Sequence, residues 1–334
     1  MSAETLLYAV FSLIGFVLSF IPLPWHMQAG NIGTCALMFW VGIGCLQFGI
    51  NAIVWNDNSI VSGVGWCDIS VRFITGLVVS LPLCSLCINR RLYFIASKAQ
   101  TGRLVGNPRR DAAVDLFICF VVPAVFSLLT VVFSGARYGI NEDYGCVAVL
   151  HSSWPLYALY LAPPIIIGLI SSSYCVLSIC HFKRQRKSFN DVLRKSSGMS
   201  SNHYFRLMAI ASIDIFITVP IACFSLMLNA EGQHFPWRGW AWLHEGYWTP
   251  SITPKALWTA SPAVHILFEL SRWTPVFAAF LFFALFGLTE QARNNYSTVL
   301  GQVLGSRVWQ KVSTKCTFNT SSNTIKCVVC CWRE

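Results

Sequence analysis

Charged side chains are scarce in this chain. Only 11% of its 334 residues are Asp, Glu, Lys or Arg, whereas 55% are hydrophobic and the mean hydropathy is +0.56. Soluble domains carry about 25% charged residues, and a soluble protein this poor in charge would have too little polar surface to cover its core. The composition therefore excludes an ordinary soluble protein and indicates an integral membrane protein.

Signatures of several other membrane proteins are also missing. The sequence lacks the alternation of period two that is typical of a membrane β-barrel. Its two halves do not repeat, which disfavours a transporter built from inverted repeats. No basic residue precedes the first apolar run, so this run lacks the n-region of a cleaved signal peptide and is predicted to be retained as a span.

The residue patterns that catalysis needs are missing as well. The seven histidines show no metal-ligand spacing such as H-E-x-x-H, and neither a Gly-rich phosphate loop nor a G-x-G-D element is present. The last apolar run contains no lysine that would form a Schiff base with retinal. We therefore predict a protein that is not an enzyme and binds neither a metal nor a cofactor.

What the chain has instead is long apolar runs. A helix needs about 20 apolar residues to cross the hydrocarbon layer, and seven segments of the sequence are suitable. They are 5–23, 32–54, 66–89, 112–134, 155–181, 207–229 and 262–289. The prediction is an all-α membrane protein with a seven-helix bundle in residues 1–296, followed by a poorly ordered cytosolic tail, 297–334.

Lys and Arg are distributed unequally between the segments that connect these spans. Of the 24 basic residues, 19 lie in 90–111, in 182–206 or in the tail. Because basic connections remain in the cytosol, we expect the amino terminus outside and the carboxyl terminus inside. The net charge of +10 therefore does not indicate nucleic-acid binding. The basic segments either serve only topology and contact with anionic lipid, or also form a docking surface for a cytosolic partner.

The 14 cysteines divide by location. Cys67 and Cys146 are the two that lie in the predicted outer compartment, and an isolated pair in an oxidising compartment favours a disulfide. In the tail, Cys327, Cys330 and Cys331 are either palmitoylation sites beside the membrane or free thiols.

Four charged residues lie inside the predicted spans as two acid–base pairs. Glu269 and Arg272 are three residues apart and Asp68 and Arg72 four apart, so each pair shares a helix face. One interpretation is two internal ion pairs that lower the cost of insertion. Another is a polar floor under a ligand pocket, where all four charges meet. A transporter or channel would instead use them as a solute or proton pathway.

Prolines interrupt several of the spans. An interior proline removes a helix hydrogen bond and bends the helix, and membrane helices tolerate such bends more readily than soluble ones. Tolerance is a sufficient explanation for most of them. Pro220 and Pro275 are better candidates for hinges, because they lie in the last two spans of a seven-helix bundle.

Short motifs at the span ends carry a family resemblance. They are LPLCSLCINRRLYFIAS (81–97), PWHMQAGNIG (24–33), VGWCDISVRF (64–73), NEDYGC (141–146) and FGLTEQARNNY (286–296). From residue 5 to about 296 the chain resembles the fungal lipopeptide mating-pheromone receptors, the a-factor receptor type of class D G-protein-coupled receptors. The most diagnostic motif is CINRRLY, at the end of the third span.

This resemblance implies a multi-pass receptor of the plasma membrane. Its ligand would be a short peptide pheromone with a farnesylated, carboxymethylated C-terminal cysteine, and its partner a heterotrimeric G protein. The outer connection 230–261 would then contribute to the ligand site, although its tryptophans are also typical of an interfacial belt. The candidate ligand contacts in this connection are Trp237, Trp240, Trp242, Glu245 and Trp248.

Coupling to the G protein is predicted at the inner ends of the third and fifth spans. The candidate residues are Asn89, Arg90, Arg91, Lys183, Arg184, Arg186 and Lys187. Asp115 and Asp214 lie in the inner third of their spans, and we hypothesise that one of them restrains Arg90 or Arg91 in the idle receptor. The alternative is that the two arginines act only as stop-transfer charges.

Overall fold

The computed structural model describes residues 3–101, 107–184, 201–232, 236–288, 314–319 and 324–329. In this part of the chain, seven helices are long and apolar enough to cross a membrane. They are Ala3–Gln28, Ile32–Val54, Val64–Ser97, Arg109–Phe133, Trp154–His181, Tyr204–Glu231 and Pro262–Gly287, here called the first to the seventh span. The predicted seven-helix bundle is confirmed. The chain divides into two compact units, 1–287 and 288–334.

Several of the spans consist of more than one regular helix. The helices are α1 (Ala3–Phe20), α2 (Leu23–Gln28), α3 (Ile32–Val54), α4 (Val64–Thr101), α5 (Pro108–Leu116), α6 (Val122–Leu129), α7 (Trp154–Leu156), α8 (Ala162–Arg184), α9 (Ser201–Glu231), α10 (Trp240–Leu243), α11 (Lys255–Trp258) and α12 (Pro262–Phe282). Wider π-helical turns occupy Phe117–Val121, Tyr157–Leu161 and Phe283–Gly287, and Thr130–Phe133 forms a 3₁₀ turn.

A proline accounts for one link between neighbouring spans. Pro123 follows the π-helical turn of the fourth span and has no N–H to donate to the carbonyl of Cys119, four residues earlier. The indole Nε1 of Trp40, in the second span, donates to that carbonyl instead, at 2.9 Å. The hydrogen bond that proline removes from the fourth span thus becomes a contact between the second and fourth spans.

The first span turns its small and polar residues inward. Tyr8, Ser12 and Gly15 are among its buried residues, whereas its exposed large side chains are Leu6, Leu7, Val10, Phe11, Leu13, Ile14 and Val17. The Ser12 hydroxyl donates to the Cys45 carbonyl at 2.6 Å. An exposed apolar stripe of this length, with small residues at the helix contact, is typical of a helix that faces lipid on its outer side.

A small β-sheet covers one end of the bundle, here called the sheet end. β1 (Ser134–Asn141) and β2 (Gly145–Leu150) form an antiparallel hairpin between the fourth and fifth spans. β3 (Ser251–Thr253), from the connection before the seventh span, pairs in parallel with β1. The sequence analysis predicted no strands here. In the second unit, β4 (Thr314–Asn319) and β5 (Thr324–Val329) form an antiparallel pair, also unforeseen.

The third span continues further than the apolar run indicated. The sequence predicted a span at 66–89 followed by a connection, but α4 runs from Val64 to Thr101 without interruption. Arg90 and Arg91 are therefore helical residues. The reason is that the residues after them are good helix formers, with no glycine or proline before Gly102. The opposite end of the bundle, where these arginines lie, is called the basic end.

A disulfide joins the sheet to the third span. Cys67 and Cys146 are bonded, with their Cα atoms 5.3 Å apart and a sequence separation of 79. Both cysteines are buried beside Trp55, Val71 and Tyr138. The bond therefore attaches the β1–β2 hairpin to the bundle at the start of the third span.

Replacing Cys146 by Ser is expected to destabilise the protein by about 2–5 kcal/mol, because a loop of this length is no longer closed in the unfolded chain. Thermal unfolding of purified protein and surface expression measure the loss. The exposed free cysteine Cys223 provides the control substitution, which should leave both values unchanged. If Cys67 and Cys146 both alkylate readily in intact, unreduced protein, the bond does not form.

Candidate functional site

The tip of the β1–β2 hairpin enters the mouth of the bundle. Tyr144 is 5% exposed, and its ring centroid lies 4.8 Å from that of Phe268 and 5.9 Å from that of Phe48. Gly145, which follows, has φ of 93°, and a Cβ atom there would lie 2.6 Å from the Cβ of Asn51. Only glycine satisfies both conditions, so the turn is built to bring Tyr144 down between the second and seventh spans.

An ion pair holds this tip in place. The Asp143 carboxylate accepts hydrogen bonds from Lys255 Nζ at 2.6 Å and from the backbone N–H of Asp57 at 2.8 Å. Burial raises the pKa of Asp143, but the hydrogen bonds from Lys255 and Asp57, together with the positive charges of Lys255 and Arg272, bring the pKa below its ordinary value. The pKa of Lys255 is raised, chiefly by its hydrogen bond to Asp143. The three connections that contain Asp57, Asp143 and Lys255 therefore meet at the Asp143 carboxylate.

The four charges predicted to form one polar floor lie in separate contacts. Arg272 pairs with Glu269, through Nη2 to Oε1 at 2.5 Å and Nε to Oε2 at 2.9 Å. Asp68 does not pair with Arg72 but with Arg137 of β1, whose Nε lies 2.5 Å from Oδ1. The prediction that all four charges meet in one cluster is therefore wrong. Strand β1 supplies Asp68 with a cation, Arg137, which the spacing of residues along the helix could not reveal.

Arg72 points toward the fourth span instead. Its Nη1 donates to the Thr130 hydroxyl at 2.8 Å and to the Ser127 carbonyl at 3.3 Å, and its Nη2 to the Tyr247 hydroxyl at 3.3 Å. Arg272, by contrast, also stacks over the ring of Tyr8, with 4.6 Å from Cζ to the centroid. The two arginines thus belong to different parts of the sheet end.

The predicted ligand contacts lie in the connection before the seventh span, around the β-sheet that covers this end of the bundle. Trp248 and Trp240 are 74% and 54% exposed, and Trp242 and Glu245 are also exposed. Trp237 is half-buried and packs against the cluster of Phe133, Leu156 and Leu161. Guanidinium groups lie over two of the exposed rings: Arg137 over Trp248 at 5.3 Å and Arg238 over Trp242 at 5.2 Å. These rings leave a broad aromatic surface around the mouth.

At the basic end, an ion pair joins the third and fourth spans. Arg90 Nη2 lies 2.6 Å from Asp115 Oδ1, and the two side chains are 27% and 7% exposed. Asp214 lies in α9, but its side chain is outside the described part of the chain. Asp115, one of the two acids proposed to restrain Arg90 or Arg91, is therefore in contact with Arg90.

The other predicted coupling residues of the third span also have partners. Arg91 Nη1 donates to the Gly30 carbonyl, in the turn after α2, and Asn89 Nδ2 donates to Ser171 Oγ of the fifth span at 3.0 Å. Arg91 and Asp115 also line a small cleft between the second, third, fourth and sixth spans.

The remaining candidates occupy the ends of helices or undescribed segments. Lys183 and Arg184 end α8, and their side chains are not described; Arg186 and Lys187 lie outside the described residues. Pro220 and Pro275 lie inside α9 and α12, and their role as hinges stays a prediction. Cys327 is in β5, paired opposite Cys316, while Cys330 and Cys331 lie outside the described residues. Among the described residues, no group of His, Cys, Asp or Glu has the arrangement of a metal site.

Sequence reasoning missed four residues that shape the sheet end. Arg137, Asp143, Tyr247 and Lys255 lie in connections and gain their partners through the sheet. Asp143 and Tyr144 were present in the NEDYGC motif, but that motif gives no indication that the tyrosine is buried. A run such as GCVAVL after this motif was the available signal for a strand.

Exchanging the charges of Asp68 and Arg137 tests their pairing. Asp68→Arg and Arg137→Asp are each expected to reduce thermal stability, because each leaves like charges together at the edge of the membrane. The double variant should recover about half of the loss, as close pairs do in double-mutant cycles. The matched control is Arg238→Asp with Asp68→Arg, a pair for which no contact is described, and it should show no recovery. Equal recovery in both pairs would contradict the contact.

Comparisons with known proteins agree with this architecture. A family model described as Pheromone A receptor matches residues 7–305. The Pheromone B alpha 3 receptor of Schizophyllum commune is 38% identical over 87% of this chain and 47% of its own length. Pheromone receptor 1 of Mycosarcoma maydis is 30% identical over 88% of this chain and 83% of its own length.

The chain spans about half the length of the Schizophyllum commune B alpha relatives that it matches. The structure is also similar to the crystal structure of squid rhodopsin, with a TM-score of 0.59 over 90% of this chain and 80% of that one, at 12% identity. This likeness shows the fold alone, and it agrees with the seven spans. The resemblance inferred from the short motifs is confirmed: the chain belongs to the Pheromone A receptor family, whose members are receptors rather than enzymes, and it has the fold of a G-protein-coupled receptor.

Proposed function

We propose that this protein is a plasma-membrane receptor that binds a farnesylated peptide mating pheromone at its sheet end and activates a heterotrimeric G protein at its basic end. The observation that carries the proposal is the family match over residues 7–305. The sheet end faces outward in this proposal, since 19 of the 24 basic residues lie in the segments assigned to the cytosol.

The surface of the sheet end suits a lipidated peptide. Trp240, Trp242 and Trp248 expose indole rings around a mouth that the sheet closes. Indoles bind apolar groups while they remain at the edge of a membrane. A prenyl chain gains about 0.8 kcal/mol per buried methylene, so such a ligand concentrates in the bilayer beside this rim.

The charges of the sheet end do not support the alternative of a transporter or channel. That reading requires the four intramembrane charges to line one pathway. Asp68 and Arg72 are instead engaged with Arg137 and with the fourth span, whereas Glu269 and Arg272 pair with each other. No continuous row of charges connects them among the described residues.

Guanine-nucleotide exchange is the direct test of the function. The receptor is placed in nanodiscs with a purified heterotrimer, and synthetic peptides are added with and without the farnesyl group. We expect exchange to rise only with farnesylated peptides, because the unlipidated ones do not partition to the rim. An equal response to both forms would contradict the lipopeptide proposal, and a failure of exchange despite peptide binding would contradict G-protein coupling.

The Arg90–Asp115 ion pair is proposed to restrain the idle receptor. Asp115→Asn removes the charge while it keeps the shape, and should raise basal exchange by roughly fivefold, corresponding to a coupling of about 1 kcal/mol. Asp214→Asn tests the other acid in the same assay. The matched control is Asp111→Asn, an exposed acid one turn earlier on the same helix, which should leave basal exchange unchanged. Unaltered basal exchange in Asp115→Asn at normal expression would refute the restraint.

A further inference from the structure

The charges at the sheet end balance in pairs, with one exception inside a span. Arg137 pairs with Asp68, Lys255 with Asp143 and Arg272 with Glu269. Arg72 is the intramembrane cation for which no carboxylate partner is found among the described residues, since its acceptors are two hydroxyls and a carbonyl. A charged group at this position needs a stronger partner than neutral oxygens if the cost of burial is to be offset.

The guanidinium of Arg72 also retains unused donors. It has five N–H groups in a planar fork. Nη1 meets the Thr130 hydroxyl and the Ser127 carbonyl, and Nη2 meets the Tyr247 hydroxyl. Nε–H has no acceptor among the described residues, so the edge of the fork formed by Nε and Nη2 is engaged there by Tyr247 alone. That edge has the geometry which binds both oxygens of a carboxylate.

Tyr247 covers this arginine from the connection before the seventh span. Its backbone carbonyl accepts from the Arg137 N–H at 2.8 Å, which fixes the residue beside β1. One turn earlier, His244 lies within hydrogen-bond distance of the Val131 carbonyl, at 3.0 Å, which fastens the same segment to the end of the fourth span. The hydroxyl of Tyr247 lies 3.3 Å from Arg72, a long and therefore weak hydrogen bond.

We propose that Arg72 forms a carboxylate-binding subsite of the ligand pocket. A carboxylate of the incoming peptide forms a bidentate pair with the guanidinium of Arg72 and replaces the Tyr247 hydroxyl. The ligand is accordingly an acidic lipopeptide. This inference rests on the proposed function and adds the chemical class of the group that the pocket selects. The carboxylate of the ligand supplies the negative charge that Arg72 lacks. The Tyr247 hydroxyl is a neutral partner of Arg72 in the unliganded protein and is displaced by this carboxylate.

The test uses pools of synthetic nonapeptides with a farnesylated, methyl-esterified C-terminal cysteine. In each pool one interior position is fixed as Glu, Gln or Lys and the other positions are mixed. Ligand-induced thermal stabilisation of the receptor in nanodiscs reports binding without the G protein. For the wild-type receptor, at least one position should favour Glu over Gln by about tenfold in half-maximal concentration, as expected for a charge-assisted pair.

The variants separate recognition of the carboxylate from a structural role. Arg72→Gln should remove the preference for Glu, and Arg72→Glu should transfer it to Lys. Tyr247→Phe should strengthen binding of the Glu pools by about twofold to fivefold, because no hydroxyl competes for the guanidinium. Arg238→Gln, at a cation of the same end that lies over Trp242, is the matched control and should keep the preference. If Arg72→Gln does not fold, Arg72→Lys and Tyr247→Phe carry the comparison.

The outcomes distinguish this inference from the function on which it rests. If no pool stabilises the wild-type receptor, the lipopeptide function is wrong and the inference falls with it. If pools bind but no position prefers Glu, the function stands and the subsite is refuted. The same holds if the preference persists in Arg72→Gln, or if Tyr247→Phe leaves binding of the Glu pools unchanged.

Discussion

An ionised side chain in the hydrocarbon layer costs at least about 2.5 kcal/mol near its centre, and that cost governs where charge occurs in this receptor. The chain keeps few such groups, and the structure gives most of them a partner at once. Asp68, Asp115 and Glu269 each lie against an arginine. Because a charge that has lost its partner is expensive, separating Asp68 from Arg137 or Asp115 from Arg90 is costly, and these two pairs each hold two elements together.

The same constraint explains why the sheet end is built from three connections rather than one. Asp68 is satisfied by Arg137 of β1, and the carboxylate of Asp143 collects Lys255 and the backbone of Asp57. The Cys67–Cys146 disulfide fixes the hairpin beside these pairs. The cover is therefore attached covalently at the third span and electrostatically on both sides. The buried position of Tyr144 is a consequence of that attachment, because a hairpin that is held on both sides brings its tip into the mouth of the bundle.

The sequence was sufficient for the spans because length and apolarity determine them directly. The run 32–54 was predicted to the residue, and the error at the third span arose where charged helix formers continue a helix beyond the apolar layer. The family was recognisable from short motifs at the span ends. These are local signals, and each is contained within about twenty consecutive residues.

The pairing of the charges could not be predicted in the same way. Spacing along one helix brought Asp68 and Arg72 to the same face, which was correct, but their partners come from residues about 60 to 180 positions away. The competing cation, Arg137, lies in a strand that was itself not foreseen. Asp115 and Asp214 were both candidates for Arg90 or Arg91, because all four lie near the same end of their spans; the contact between Arg90 and Asp115 is one of the four pairings that this left open.

The third and fourth spans meet through a charged contact at each end of the bundle. Arg72 lies against Thr130 and Ser127 at the sheet end, and Arg90 lies against Asp115 at the basic end. Arg72 and Arg90 are 18 residues apart on α4, about 27 Å at 1.5 Å per residue. Between them the interface is closed by a hydrogen bond of 2.9 Å between the Thr75 and Ser127 hydroxyls.

One helix pair thus carries two cations with different partners. Arg90 pairs with an acid, whereas Arg72 meets no carboxylate among the residues that the structure describes. In our proposal, a carboxylate bound to Arg72 neutralises part of its charge, weakens its hydrogen bonds to the Ser127 carbonyl and the Thr130 hydroxyl, and so loosens the fourth span at the sheet end. Because packed helices shift as units against their neighbours, the same displacement would reach the Arg90–Asp115 pair, and two contacts on one interface would connect ligand binding with release of the arginine.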